Sequence, residues 1–119
     1  MFSFVPKLVR DKVAYRIRRD GFAPRVTRVR KQAFGRYLIM KMAEEVGELH
    51  EAHVREDAPG RLAEAADLAE SFAAYRKEAG ISFFSLWFAR LRKRRTHGAF
   101  KERLVLLSDP YPKKEEEEI

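Results

Sequence analysis

The chain has 119 residues, 45% of them apolar, no cysteine and a formal net charge of +7. That length supports one modest core, and the missing thiols exclude a disulfide framework and thiolate chemistry. The longest apolar run, Ile81 to Ala89, is too short to cross a bilayer as a helix. The opening MFSFVPKLVRDK lacks the apolar run and small-residue cleavage site of a signal peptide. A cytoplasmic location is therefore expected. Charge is segregated along the chain: residues 1–36 carry +9, residues 37–80 carry −5 and residues 81–119 carry +3. An acidic middle between basic ends suits a cation site facing phosphate groups.

A single all-α domain is expected over residues 1–108, a four-helix bundle with a possible short two-stranded β element. Residues 109–119, which hold two prolines and a KKEEEE run, are expected to form a charged tail. The first helix is predicted over Asp11 to Arg19, where Val9, Val13 and Ile17 recur every four residues and Asp20-Gly21 ends the pattern. Arg25 to Val29 alternates charged or polar with β-branched residues and reads as a short strand. The second helix is predicted from Lys31 to Arg55, with Phe34, Leu38, Met42, Val46 and Leu49 as its core stripe.

Asp57-Ala58-Pro59-Gly60 is a break. The third helix follows from Pro59 to Ala79, with proline in its first turn and Gly80 beyond its end. Its alanines allow close helix packing, and Leu68, Phe72 and Tyr75 read as core. Ser82 opens a fourth helix reaching Thr96. Its start is apolar almost all round, so burial is expected there, in the core or in a subunit interface, and its end is basic from Arg92 to Arg95. Leu104 to Leu107 reads as a second short strand.

The chemistry concentrates between Lys41 and Asp67. Glu44, Glu45 and Glu48 lie within one turn of the second helix, and Glu64 and Asp67 within one turn of the third. Two helices joined by a short turn pack antiparallel, which brings four or five carboxylates to one seam. Like charges so placed must shift their pKa values or bind a cation, and a hard divalent ion such as Mg²⁺ suits them. The plain alternative is a solvated acidic helix face. His50 and His53 fall away from the acidic stripe.

Three pieces together resemble the all-α nucleotide pyrophosphohydrolases, the MazG-like group that includes phosphoribosyl-ATP pyrophosphohydrolase. They are Lys7-Leu8-Val9-Arg10-Asp11-Lys12, the EExxE…ExxD pattern of Glu44 to Glu48 and Glu64 to Asp67, and His97-Gly98-Ala99-Phe100 with the segment after it. His97 stands where that branch has arginine.

The resemblance implies a dimer or tetramer and Mg²⁺-dependent cleavage between the α and β phosphates, with Mn²⁺ able to substitute. It makes Glu45, Glu48, Glu64 and Asp67 the metal ligands. Glu44 becomes a further ligand or the group that orients or deprotonates the attacking water, with Glu45 beside it in the catalytic set. Arg10, Lys12 and Lys41 would meet phosphates, as would Lys93, Arg94 and Arg95, while Ser71 and Tyr75 are the residues offered for base contact.

Phosphoryl transfer asks mainly for positioning and charge neutralisation, which these side chains can supply. Hydrolysis of non-standard nucleoside triphosphates is the first expectation and phosphoribosyl-ATP hydrolysis the second. A basic helical module binding nucleic acid is the alternative from another class. The spacing of Phe83, Phe84, Trp87 and Phe88 follows core positions rather than a base-stacking platform. An inactive oligomeric scaffold is the third reading.

Overall fold

A computed structural model describes residues 4–113. The fold is all-α. Four helices follow in order: α1 Val13–Arg19, α2 Lys31–Val54, α3 Ala58–Glu78 and α4 Phe83–His97. The first three residues and most of the charged run at the end, 114–119, lie outside the described residues. Among the described residues no helix is long and apolar enough to cross a membrane. The chain divides into two compact units, one ending at Phe83 and the other beginning at Phe84.

The first unit is built on the hairpin of α2 and α3, which pack against each other. Their connection is shorter than the sequence break suggests. Arg55 caps α2, Glu56 takes a left-handed φ of 55° and Asp57 already caps α3. The Asp57 N–H closes the end of α2 on the Ala52 carbonyl at 3.0 Å, a six-residue closure of the Schellman kind. The Asp57 side chain then turns round and accepts from the Gly60 N–H at 3.0 Å. A side chain at position 60 would collide with that carboxylate, because its Cβ would lie 2.3 Å from Asp57 Oδ2.

This tight turn fixes the register of the seam. Glu48 stands eight residues before Glu56 and Glu64 eight residues after it. Glu45 and Asp67 each stand eleven residues from it. At 1.5 Å per residue, antiparallel packing puts each pair at about the same height.

The side of α2 facing α3 is marked by Leu38, Glu45 and Ala52, spaced seven apart and all buried. Of the expected core stripe Leu38 is buried and Phe34, Met42 and Leu49 are half-buried, and Val46 departs from it. Val46, one residue round the helix from Glu45, is 51% exposed, and a carboxylate holds the central buried position. On α3 the half-buried side carries Glu64, Leu68, Ser71 and Tyr75. Phe72 falls beside that line and stays 41% exposed.

Helix α1 begins at Val13, two residues later than expected, because Asp11 and Lys12 form a turn closed by Val13 N–H to the Arg10 carbonyl at 3.0 Å. The end of α3 is closed by Ile81 N–H to the Arg76 carbonyl at 2.9 Å, with Gly80 at φ 70°. The Arg76 guanidinium adds a bond to the Ile81 carbonyl at 2.9 Å.

In the second unit, α4 ends in a basic turn with Arg94, Arg95 and His97, whose sign suits a helix C-terminus. Gly98 follows at φ 83°. The apolar start of α4 is not buried within the single chain: Phe83, Phe84, Trp87 and Phe88 are all exposed, and Trp87 meets Phe88 edge to face at 5.2 Å.

No strand forms among the described residues. Arg25 to Val29 and Leu104 to Leu107 are irregular, and Leu104, Val105, Leu106 and Leu107 are exposed. Alternation prepares a segment for a sheet, but without a hydrogen-bonded neighbour it remains extended chain.

Candidate metal centre

Glu45, Glu48 and Glu64 meet at the α2–α3 seam, where each offers a carboxylate oxygen and all three oxygens lie within 4.8 Å of one another. Glu45 is the buried member, its side chain 5% exposed. Its Oε1 accepts from Lys41 Nζ at 3.2 Å, one turn back on α2. Its Oε2 is buried with no hydrogen-bond partner, and so is Glu64 Oε2. A buried, unpartnered carboxylate oxygen is costly, and two of them in one acidic cluster call for a proton or a cation.

The proton's share is visible at Glu64. Its carboxyl is pushed up to about 7, first by the hydrogen bond it makes with Glu48 in the protonated form, then by the one with Glu45. Desolvation and the negative charge of both neighbours add to the shift. A divalent cation held between the three carboxylates would offset the negative charge that raises Glu64, by the same electrostatics. Three carboxylates on two facing helices, with waters completing the shell, fit the oxygen preference of Mg²⁺.

Lys41 binds the cluster at Glu45, and Lys7 and Arg10 bind the neighbouring acids Glu44 and Asp67. Burial by itself would lower the Lys41 ammonium, but the hydrogen bond to Glu45, the charges of Glu44 and Glu45 and the contact with Glu44 outweigh it and raise it. Glu44 lies between two lysines, its Oε1 accepting from Lys7 Nζ at 3.0 Å and its Oε2 from Lys41 Nζ at 3.4 Å. Burial would raise its carboxyl, yet the Lys7 hydrogen bond and the Lys41 charge together hold it below the ordinary range. Arg10 donates to Asp67 Oδ1 at 2.7 Å. The segment from Lys7 to Arg10 thus reaches α2 at Glu44 and α3 at Asp67.

The four expected metal ligands therefore separate into three and one. Glu45, Glu48 and Glu64 come together, while Asp67, at a matching height, is occupied by Arg10. Of the expected phosphate-binding groups, Lys41 touches the cluster and Arg10 stands beside it through Asp67. Lys12 is exposed at the start of α1 and Ser71 is half-buried on α3. Lys93, Arg94 and Arg95 are exposed on α4, in the other unit. The sequence reading did not assign Lys7 to the site. Its only signal is membership of the same KLVRDK run that supplied Arg10 and Lys12.

Comparison with protein-family models, with curated proteins and with solved structures returns no match.

Proposed function

We propose that this protein is a Mg²⁺-dependent nucleoside triphosphate pyrophosphohydrolase that works on non-standard nucleotides in the cytoplasm. The observation that carries the proposal is the seam cluster: three carboxylates within 4.8 Å, two of them with buried, unpartnered oxygens, edged by Lys41. The KLVRDK and EExxE…ExxD runs support it by resemblance.

Glu45, Glu48 and Glu64 would hold the ion. Bound there, it would neutralise phosphate oxygens and lower the pKa of a water. Lys41 and Lys7 present ammonium groups beside the cluster, where they would meet the triphosphate as point charges. Arg10 would exchange Asp67 for a phosphate oxygen, leaving Asp67 free to join the ligands. Glu44 is kept ionised by its lysines, which makes it a poor proton acceptor and suits it to orienting the attacking water. In the reaction the water oxygen bonds to the α phosphorus and the bond from that phosphorus to the bridging oxygen breaks. Pyrophosphate leaves with that oxygen, a nucleoside monophosphate remains, and the proton that the water gives up passes to solvent.

A second copy of the chain belongs to the proposal. Leu62 is 74% exposed and Phe72 41%, and with Ala65 and Ala69 they form an exposed apolar stripe along a flank of α3. An exposed apolar stripe on a helix is suited to packing against a partner.

The test is pyrophosphate release from canonical and modified nucleoside triphosphates and phosphoribosyl-ATP, with and without Mg²⁺. Release that needs Mg²⁺ and is matched by monophosphate supports the proposal. Its absence from every compound refutes it.

A further inference from the structure

We infer that the cavity between the N-terminal segment and α2 is the nucleoside subsite, taking the base and sugar of the substrate, an inference that rests on the pyrophosphohydrolase reading above. The cavity holds about 310 Å³, within the range of small-molecule sites. Its walls are Val5 and Leu8 on one side and Tyr37 and Met40 on the other, with Lys41 and Glu44 at one edge.

The residues from α2 fall at i, i+3, i+4 and i+7, so one face of the helix supplies them all. An aliphatic and aromatic lining with a few charged groups at its edge is the composition of a ligand pocket rather than of a solvated cleft.

The edge connects the cavity to the chemistry. Lys41 lines it and binds Glu45 of the acidic cluster at 3.2 Å. Glu44 lines it and is held by Lys7 and Lys41. A nucleotide whose phosphates sit at the lysines and the cluster therefore has this apolar space next to it.

The chemical class follows from the lining. The aromatic ring of Tyr37 and the thioether of Met40 suit a flat, polarisable base. Ser71, offered for base contact, and Tyr75, offered for it but read first as core, do not line this cavity. Tyr75 borders a different one, with Lys31 and Gly35.

The experiment is calorimetric binding of Mg²⁺, inorganic pyrophosphate and the nucleoside 5′-monophosphates of the standard bases to the wild-type chain, Tyr37→Ala and Met40→Trp. The first variant empties the cavity. The second fills it from a helix position that is 47% exposed, and so keeps the test valid if the first fails to fold. The expected result is at least a tenfold loss of affinity for the best-bound monophosphate in each folded variant, with Mg²⁺ and pyrophosphate affinities unchanged. Unchanged monophosphate affinity beside intact Mg²⁺ binding overturns the subsite and leaves the metal reading standing. So does a wild-type chain that binds Mg²⁺ and pyrophosphate but no monophosphate. A wild-type chain that binds no Mg²⁺ overturns the reading beneath and the subsite with it.

Discussion

Glu64 has one position for two competitors, a proton and a cation. Its carboxyl titrates at about 7 in the fold, against an ordinary value near 4.5 in the unfolded chain. Between those values the metal-free fold holds a proton that the unfolded chain has released, so stability falls as pH rises through that window. Urea denaturation at about pH 5 and about pH 8 should show this slope in the wild type and lose it in Glu64→Gln. Mg²⁺ should bind more tightly as pH rises through the same window and release a proton as it binds, which calorimetry in two buffers of different ionisation enthalpy reads.

The acids were legible in the sequence because helical periodicity places Glu45 with Glu48, and the spacing to Glu64 matches a hairpin. Their cationic partners were harder to read. Lys7 reaches Glu44 across 37 positions and Arg10 reaches Asp67 across 57, and no local pattern encodes a contact of that range. Spacing on one helix could not reveal that Asp67 would be held by an arginine rather than join the three glutamates.

On the scale of elements, the register of α2 against α3 rests on three residues. Glu56 takes its left-handed conformation without being glycine, at a cost of about 1 kcal/mol. Glu56→Gly should therefore stabilise the hairpin by up to about 1 kcal/mol in chemical denaturation, less the added entropy of glycine in the unfolded chain. Asp57→Ala removes the bond to the Gly60 N–H and should cost about 1 kcal/mol by the same measurement. Its effect on Mg²⁺ affinity should be small if the packed seam, rather than the cap, holds the glutamates together.

The helices themselves were legible from apolar spacing, proline and glycine. The face that α2 buries was legible at Phe34, Leu38, Met42 and Leu49 but not at its centre, because Val46 and Glu45 are neighbours and either satisfies the periodicity. The approach of α3 decides between them, and it favours the line through Leu38, Glu45 and Ala52. The two expected strands failed for a related reason: Arg25 to Val29 has the alternation of a strand, but pairing depends on a neighbour that alternation does not supply.

Across the whole molecule, the apolar side of α3 remains to be accounted for. If it meets a second copy, light scattering during size exclusion should give a dimer or a higher even assembly. Leu62→Glu and Phe72→Glu should shift it toward monomer without loss of helix by circular dichroism. A wild-type chain that runs as a monomer at all concentrations would contradict that assembly, while leaving the seam cluster as it is.

The central claim is that Glu45, Glu48 and Glu64 hold the ion that makes the seam catalytic. It is tested most directly by pyrophosphate release from a nucleoside triphosphate panel by the wild type and Glu48→Ala, each with Mg²⁺ and with chelator. Release by the wild type is expected only with Mg²⁺, in equal amount with monophosphate, and release by folded Glu48→Ala should be at least a hundredfold slower, a loss of about 2.7 kcal/mol in transition-state stabilisation. Equal rates for wild type and Glu48→Ala, or release that persists with chelator, would contradict it.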